Sequence, residues 1–252
     1  MTIGYQEFRL AKRGCDPEEY EDACLGDLKA GRFAVADGAT ESVFASSWAA
    51  RLVREFVENA DCDPEEWVTW VPGIQQRWAA EFVGRELPWH AEAKMQQGAF
   101  ATFLGLALMN TRRPPYPWQA VAVGDSCLFH TRGDELVRAF PIENSQEFGT
   151  SPWLVGSRTS QQQIRQDRVA WGEGVCQADD RLWLMTDALA QWFLSEHEAG
   201  RRPWQETERF SQPPPRETER EGLQQDFADW IEQLRDAKRL RNDDVTLLVV
   251  TM

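Results

Sequence analysis

The sequence predicts one α+β domain whose strands pair antiparallel, and three features carry that expectation. Two stretches in the first third repeat apolar residues at helical spacing. The middle strings β-prone segments together through short turns, and the last third reads strand, helix, helix, strand. At 252 residues the chain fits one large core over 1–252, and 42% hydrophobic residues with 12 Trp supply the material for it.

In order, RFAVAD (Arg32 to Asp37) reads as a short buried strand running into Gly38, and Thr40-Glu41-Ser42 could cap the helix that follows. From Ser42 to Ala60, residues Val43, Phe44, Trp48, Leu52, Val53, Phe56 and Val57 share one helical face. A second helix carries Trp67, Trp70, Val71, Ile74, Trp78, Phe82 and Val83, a stripe read as packing between helices. AFATFLGLALM (Ala99 to Met109), WQAVAVGD (Trp118 to Asp125) and CLFHTRG (Cys127 to Gly133) are β-prone. Pro141 to Asp180 shows no period and is expected to be a long irregular excursion. RLWLMTD (Arg181 to Asp187) is a buried strand passing into the amphipathic helix ALAQWFLSEHE. Gly200 to Glu221 reads as an exposed Pro- and charge-rich insertion, around 200–222. Leu223 to Leu240 is helical, and DVTLLVVTM closes the chain as a strand.

Composition excludes several function classes. Lys+Arg 27 against Asp+Glu 41 leaves a net charge of −14, a field that repels a phosphate backbone, so no nucleic-acid partner is expected. No apolar run approaches the roughly 20 residues that span a bilayer, and the N-terminus has no apolar signal region, so a cytoplasmic chain with no membrane partner is expected. Cys15, Cys24, Cys62, Cys127 and Cys176 are scattered without Cys-x-x-Cys spacing and read as reduced, structural thiols. His90, His130 and His197 lie on unrelated segments, which disfavours a zinc site or a Ser-His-Asp triad.

Acids recur at the ends of apolar segments: Glu21-Asp22, Asp37, Asp125, Asp187 and Asp243-Asp244. One such acid is an ordinary solvated turn. Five, if their strands stack in the same sense, converge, and convergent carboxylates repel unless cations sit between them. Hard oxygen donors without His or Cys favour Mg2+ or Mn2+.

The order of these pieces resembles the metal-dependent serine/threonine protein phosphatases of type 2C (the PPM family), in a short, bacterial-like form. The residues that carry it are Glu21-Asp22-Ala23, Val35-Ala36-Asp37-Gly38, Gly98-Ala99-Phe100-Ala101-Thr102, Val123-Gly124-Asp125-Ser126, Thr186-Asp187-Ala188 and Asp243-Asp244-Val245-Thr246. The resemblance implies a four-layer αββα sandwich, two antiparallel β-sheets flanked by helices. It implies hydrolysis of phosphoserine and phosphothreonine esters of phosphoproteins by a metal-activated water, with two Mn2+ or Mg2+ ions and the third, weaker position of many members. Asp37 would bridge the ions, Gly38 would lend its carbonyl, Glu21 would serve the second ion, and Asp187 with Asp243 the first. Asp22 would orient the water, Asp125 would join a third position, and a monomer would suffice. At Asp244 the family frequently has Asn, so Asp244→Asn is expected to be mild.

The departures are specific. Ala39-Thr40-Glu41-Ser42 stands where many members carry a His, and Ala188 replaces a Gly and its backbone freedom. Where members hold the substrate phosphate with an Arg before the Glu-Asp pair, this chain has Pro17. Lys12 and Arg13 are the candidate substitutes. These losses motivate two competing readings: a catalytically weak or silent phosphatase fold serving as a regulatory binding module, and a hydrolase of small phosphate esters.

Overall fold

Side chains alternate across a strand, so Phe33 and Val35 face one way while Ala34 and Ala36 face the other. Repeated along the chain, that alternation builds the four-layer sandwich of the computed structural model, which describes residues 3–39, 44–59, 64–82, 98–149, 151–158, 168–212 and 219–252. One sheet runs β1 (Gly4–Leu10), β12 (Val245–Thr251), β11 (Arg181–Met185), β7 (Cys127–Arg132), β8 (Glu135–Phe140). The other runs β10 (Ala170–Cys176), β6 (Tyr116–Val123), β5 (Phe103–Leu108), β3 (Arg32–Ala36), β2 (Ala23–Asp27). Every pairing is antiparallel, and β4 (Phe100–Ala101) with β9 (Val155–Gly156) makes a small third sheet.

Phe33, Val35, Leu104, Leu106, Leu184 and Leu248 fill the space between the two main sheets. Outside the second sheet, α1 (Ala45–Asn59) and α2 (Pro64–Ala80) lay Trp48, Phe56, Trp67 and Trp78 over Ala34, Ala36 and Phe103. The small alanines leave room for those rings, which confirms the Trp stripe as core. Outside the first sheet, α3 (Asp187–Glu198), α4 (Pro203–Thr207) and α5 (Arg220–Asp236) pack Phe193, Trp204, Phe227 and Trp230 against Phe8, Phe129 and Trp183. Burying such a ring contributes roughly 1.5–3 kcal/mol, so both outer layers are fixed to their sheets.

The structure corrects three sequence expectations. Pro141 to Asp180 is not irregular throughout, because β10 is a seven-residue strand there. Its glycines erased the pattern: a Cβ on Gly174 would meet the Trp118 ring at 2.5 Å. The insertion at 200–222 is not exposed throughout either, since Pro203, Trp204, Thr207 and Phe210 are buried; residues 213–218 lie outside the described residues. Ala188 costs no backbone freedom, because it sits in the first turn of α3 and has no positive φ. Cys15, Cys24, Cys127 and Cys176 are free thiols, as expected. The Thr40-Glu41-Ser42 cap, Val43, Val83, Cys62 and His90 fall outside the described residues. No helix among the described residues is long and apolar enough to cross a membrane.

Candidate metal centre and active site

Three separate chain segments deliver a carboxylate to one place. Asp37 follows β3, Asp125 lies in the tight turn between β6 and β7, and Asp187 opens α3 immediately after β11. One oxygen from each of Asp37, Asp125 and Asp187 lies within 4.8 Å of the others. Asp125 is 3% exposed, and neither of its oxygens receives a hydrogen bond. Burial pushes its carboxyl up to about 6. Burial, then the charges of Asp125 and Asp243, raise Asp37 as well.

Asp22 is held from two sides. Its Oδ2 accepts the hydroxyls of Thr186 at 2.9 Å and Thr246 at 2.7 Å, while Oδ1 has no donor. Burial and the neighbouring Asp37 charge raise it well above the usual carboxylate range. Thr102 anchors Asp37: its Oγ1 accepts the Asp37 N–H at 3.1 Å and bonds the Ser126 hydroxyl at 2.8 Å. Its own N–H donates to the Asp37 carbonyl at 2.8 Å. The hydroxyl residues of the recurring motifs therefore aim the acids.

Gly38 is required by contact. A Cβ there would lie 2.7 Å from the Glu21 carbonyl oxygen and 2.9 Å from the Ala45 carbonyl carbon. Glu21 is thereby seated beside Gly38, and its Oε2 accepts Lys12 Nζ at 3.3 Å. Asp244 acts as a staple, with Oδ1 accepting the Lys12 N–H and Oδ2 the Glu21 N–H, each at 2.8 Å. Both oxygens are used as acceptors, so the expectation of a mild Asp244→Asn change is revised: an amide can serve only one of those donors.

The structure thus unites Asp37, Asp125 and Asp187, joins Asp22 to them, and brings the Asp243 charge to bear on Asp37 and Asp125. It places Lys12 on Glu21. The Arg13 guanidinium pairs with Glu232 and Asp236 on α5. Sequence reasoning missed Arg241. That residue forms an ion pair with Asp187, and its Nε lies 3.6 Å from Asp243 Oδ2. Its signal was a cation two residues before Asp243, in the run Arg241-Asn242-Asp243-Asp244.

A second buried cluster, His130, Cys176 and Asp180, sits at the far end of β11. Asp180 there accepts His130 Nε2 and Arg132 Nη2, each at 2.8 Å, so an arginine already neutralises its charge. This cluster is a structural tie.

The first cluster suits a hard divalent cation. Its donors are all carboxylate oxygens, buried at Asp125 and half-buried at Asp37 and Asp187, and the two oxygens of Asp125 and Oδ1 of Asp22 lack any hydrogen-bond donor. Oxygens so placed cost free energy until a cation meets them.

The family model described as Protein phosphatase 2C matches residues 18–234. No curated protein matches the chain. Among solved structures, PppA, a key regulatory component of T6SS in Pseudomonas aeruginosa, is 16% identical with a TM-score of 0.57, covering 100% of this chain and 98% of that one. The catalytic domain of the serine threonine protein phosphatase PstP, in complex with 2 manganese ions, is 17% identical with a TM-score of 0.55, covering 99% of both chains. The PPM Ser-Thr phosphatase MsPP from Mycobacterium smegmatis, in complex with cacodylate, is 16% identical with a TM-score of 0.55, covering 100% of both. At such identities the structures speak to the fold, and the family match spans most of the sequence: the chain belongs to the protein phosphatase 2C family.

Proposed function

We propose that this chain is a metal-dependent protein phosphatase that hydrolyses phosphoserine and phosphothreonine esters. The observation that carries the reading is the convergence of Asp37, Asp125 and Asp187 within 4.8 Å, with both Asp125 oxygens buried and unpaired. Asp37, Gly38, Glu21, Asp187 and Asp243 would hold two divalent ions, Mn2+ or Mg2+, and Asp125 would add to a third position. Such ions, when bound, lower the pKa of water and offset the charge that develops on the phosphoryl oxygens. Asp22, pinned at Oδ2 by Thr186 and Thr246, offers Oδ1 to orient the attacking water and take its proton. Water forms the new P–O bond as Asp22 takes its proton, the bond to the serine or threonine oxygen breaks, and that oxygen takes up a proton from solvent. The substrate is a phosphoprotein, and the reading includes a monomeric, cytoplasmic enzyme whose thiols stay reduced.

The test is hydrolysis of p-nitrophenyl phosphate, then of phosphoserine and phosphothreonine peptides, with added Mn2+ and after chelation by EDTA. Turnover that needs the ion supports the reading. Full activity after exhaustive chelation would sink it. Ion binding without turnover on any ester would favour a regulatory binding module, the reading that the pairing of Arg241 with Asp187 also permits.

A further inference from the structure

The carboxylate cluster already holds a cation of its own. The chain leaves α5, passes Lys238 in the left-handed region at φ 55°, and returns Arg241 over the acids before β12 begins. The Arg241 guanidinium pairs with Asp187 and approaches Asp243, whose Oδ2 is 3.6 Å from Nε, too far for a hydrogen bond. That Nε is buried and has no acceptor, while the side chain as a whole is 35% exposed. A buried donor left idle beside a reachable rim is a group with capacity for another partner.

Two facts limit what that partner can be. Divalent ions seated on Asp187 and Asp243 would compete for the same oxygens and would repel the guanidinium. A phosphate ester entering among these acids brings further negative charge, which a cation in addition to the ions would help to hold. Of the other candidates, Arg13 is engaged away from the acids with Glu232 and Asp236, while Lys12 pairs with Glu21 and offers only a point charge. A planar guanidinium presents paired N–H donors that match phosphate oxygens.

We propose that Arg241 is an exchangeable cation of the active site: it neutralises Asp187 and Asp243 while divalent ions are away, and ion binding transfers it to the phosphate of the substrate. The proposal rests on the phosphatase reading for the identity of the phosphate ligand. It makes Arg241 both a competitor of the metals and a substrate-binding residue.

The test uses the full chain as wild type, Arg241→Gln and Arg241→Lys, with folding checked by circular dichroism. Two affinities are read by calorimetry: Mn2+ for the metal-free protein, and inorganic phosphate for the Mg2+-saturated protein. Losing one ion-pair competitor should tighten Mn2+ binding about tenfold in Arg241→Gln, and losing one charged contact should weaken phosphate binding about tenfold. Arg241→Lys keeps the charge without the fork, so its Mn2+ affinity should stay near wild type while its phosphate affinity falls between the two. Unchanged or weaker Mn2+ binding in Arg241→Gln overturns the proposal, and so does unchanged phosphate affinity. Neither measurement needs turnover. A wild type inert toward every phosphate ester would therefore sink the phosphatase reading separately, while the two titrations still judge Arg241.

Discussion

The hydroxyl of Thr246, on the last strand, donates to Oδ2 of Asp22 at 2.7 Å and so ties an acid from the start of the chain to its end. The site is closed only when β12 has added to the sheet between β1 and β11. Activity and global folding are therefore coupled here.

Removing that donor should show the coupling. Thr246→Val keeps the shape and leaves Asp22 with Thr186 alone. A buried acceptor stripped of one partner costs about 1–3 kcal/mol, to be read by urea unfolding, and turnover should fall because Asp22 loses its fixed orientation. Undiminished stability would show that the hydroxyl carries no weight.

Asp37→Asn separates stability from function. Asp37, itself half-buried, sits against the buried carboxyls of Asp22 and Asp125. Removing its charge relieves the metal-free protein of like-charge repulsion, so thermal stability in EDTA should rise. Turnover should drop by roughly 10²-fold or more if this carboxylate is shared between two ions. A variant that loses both stability and activity would point to a structural role for Asp37 instead.

The metal-free protein should lose stability as pH rises. Asp125 has its folded carboxyl raised from 3.8 to about 6 by burial, so between those values the folded state holds a proton that the unfolded chain has released. Its contribution is present below pH 3.8 and is lost as pH climbs through 6. At 1.36 kcal/mol for each pKa unit this amounts to about 3 kcal/mol. Asp37 and Asp22, also raised, act in the same direction. His130, lowered by burial, acts in the opposite direction below its ordinary 6.5, so the measurement is comparative: in urea unfolding with EDTA from pH 4 to 8, stability should fall more steeply in wild type than in Asp125→Asn, and added Mn2+ should reduce the difference. The same pH dependence in both proteins would show that Asp125 does not carry a raised carboxyl in the folded state.

Much of this was legible in the sequence for physical reasons. The buried strands β3, β6, β7, β11 and β12 each carry an apolar run of three or more residues, and the acids near their ends can be read without coordinates. The edges were not legible. In β1 only Phe8 is buried, β8 has one buried residue, Phe140, and in β10 glycines occupy positions where the ring of Trp118 closes in from the adjacent strand and that of Phe140 from the facing sheet. Trp204 and Phe210 were hidden within a run whose charge and proline content read as exposed. In the site, the acids could be found because chemistry demands them. The directions of Arg13 and Arg241 could not, because a long cation's partner depends on how helix α5 and the following turn are placed.

Asp244 gives the most discriminating prediction, since sequence and structure disagree about it. Its two oxygens accept the N–H groups of Lys12 and Glu21, fixing the segment that carries Glu21 and Asp22 against the start of β12. Asp244→Ala strands two backbone donors in a site only 4% exposed, at about 1–3 kcal/mol each, and should lower stability strongly. Asp244→Asn keeps one acceptor and turns an NH2 group toward the other N–H, so it should fall between wild type and Ala in urea unfolding. Mn2+ affinity should drop in the same order, because Glu21 and Asp22 lose their register, while the carboxylates of Asp37, Asp125 and Asp187 keep theirs. An Asp244→Asn protein as stable as wild type would show that the loop between β1 and β2 can rotate to accommodate an amide, and that the staple is not what holds Glu21 in place.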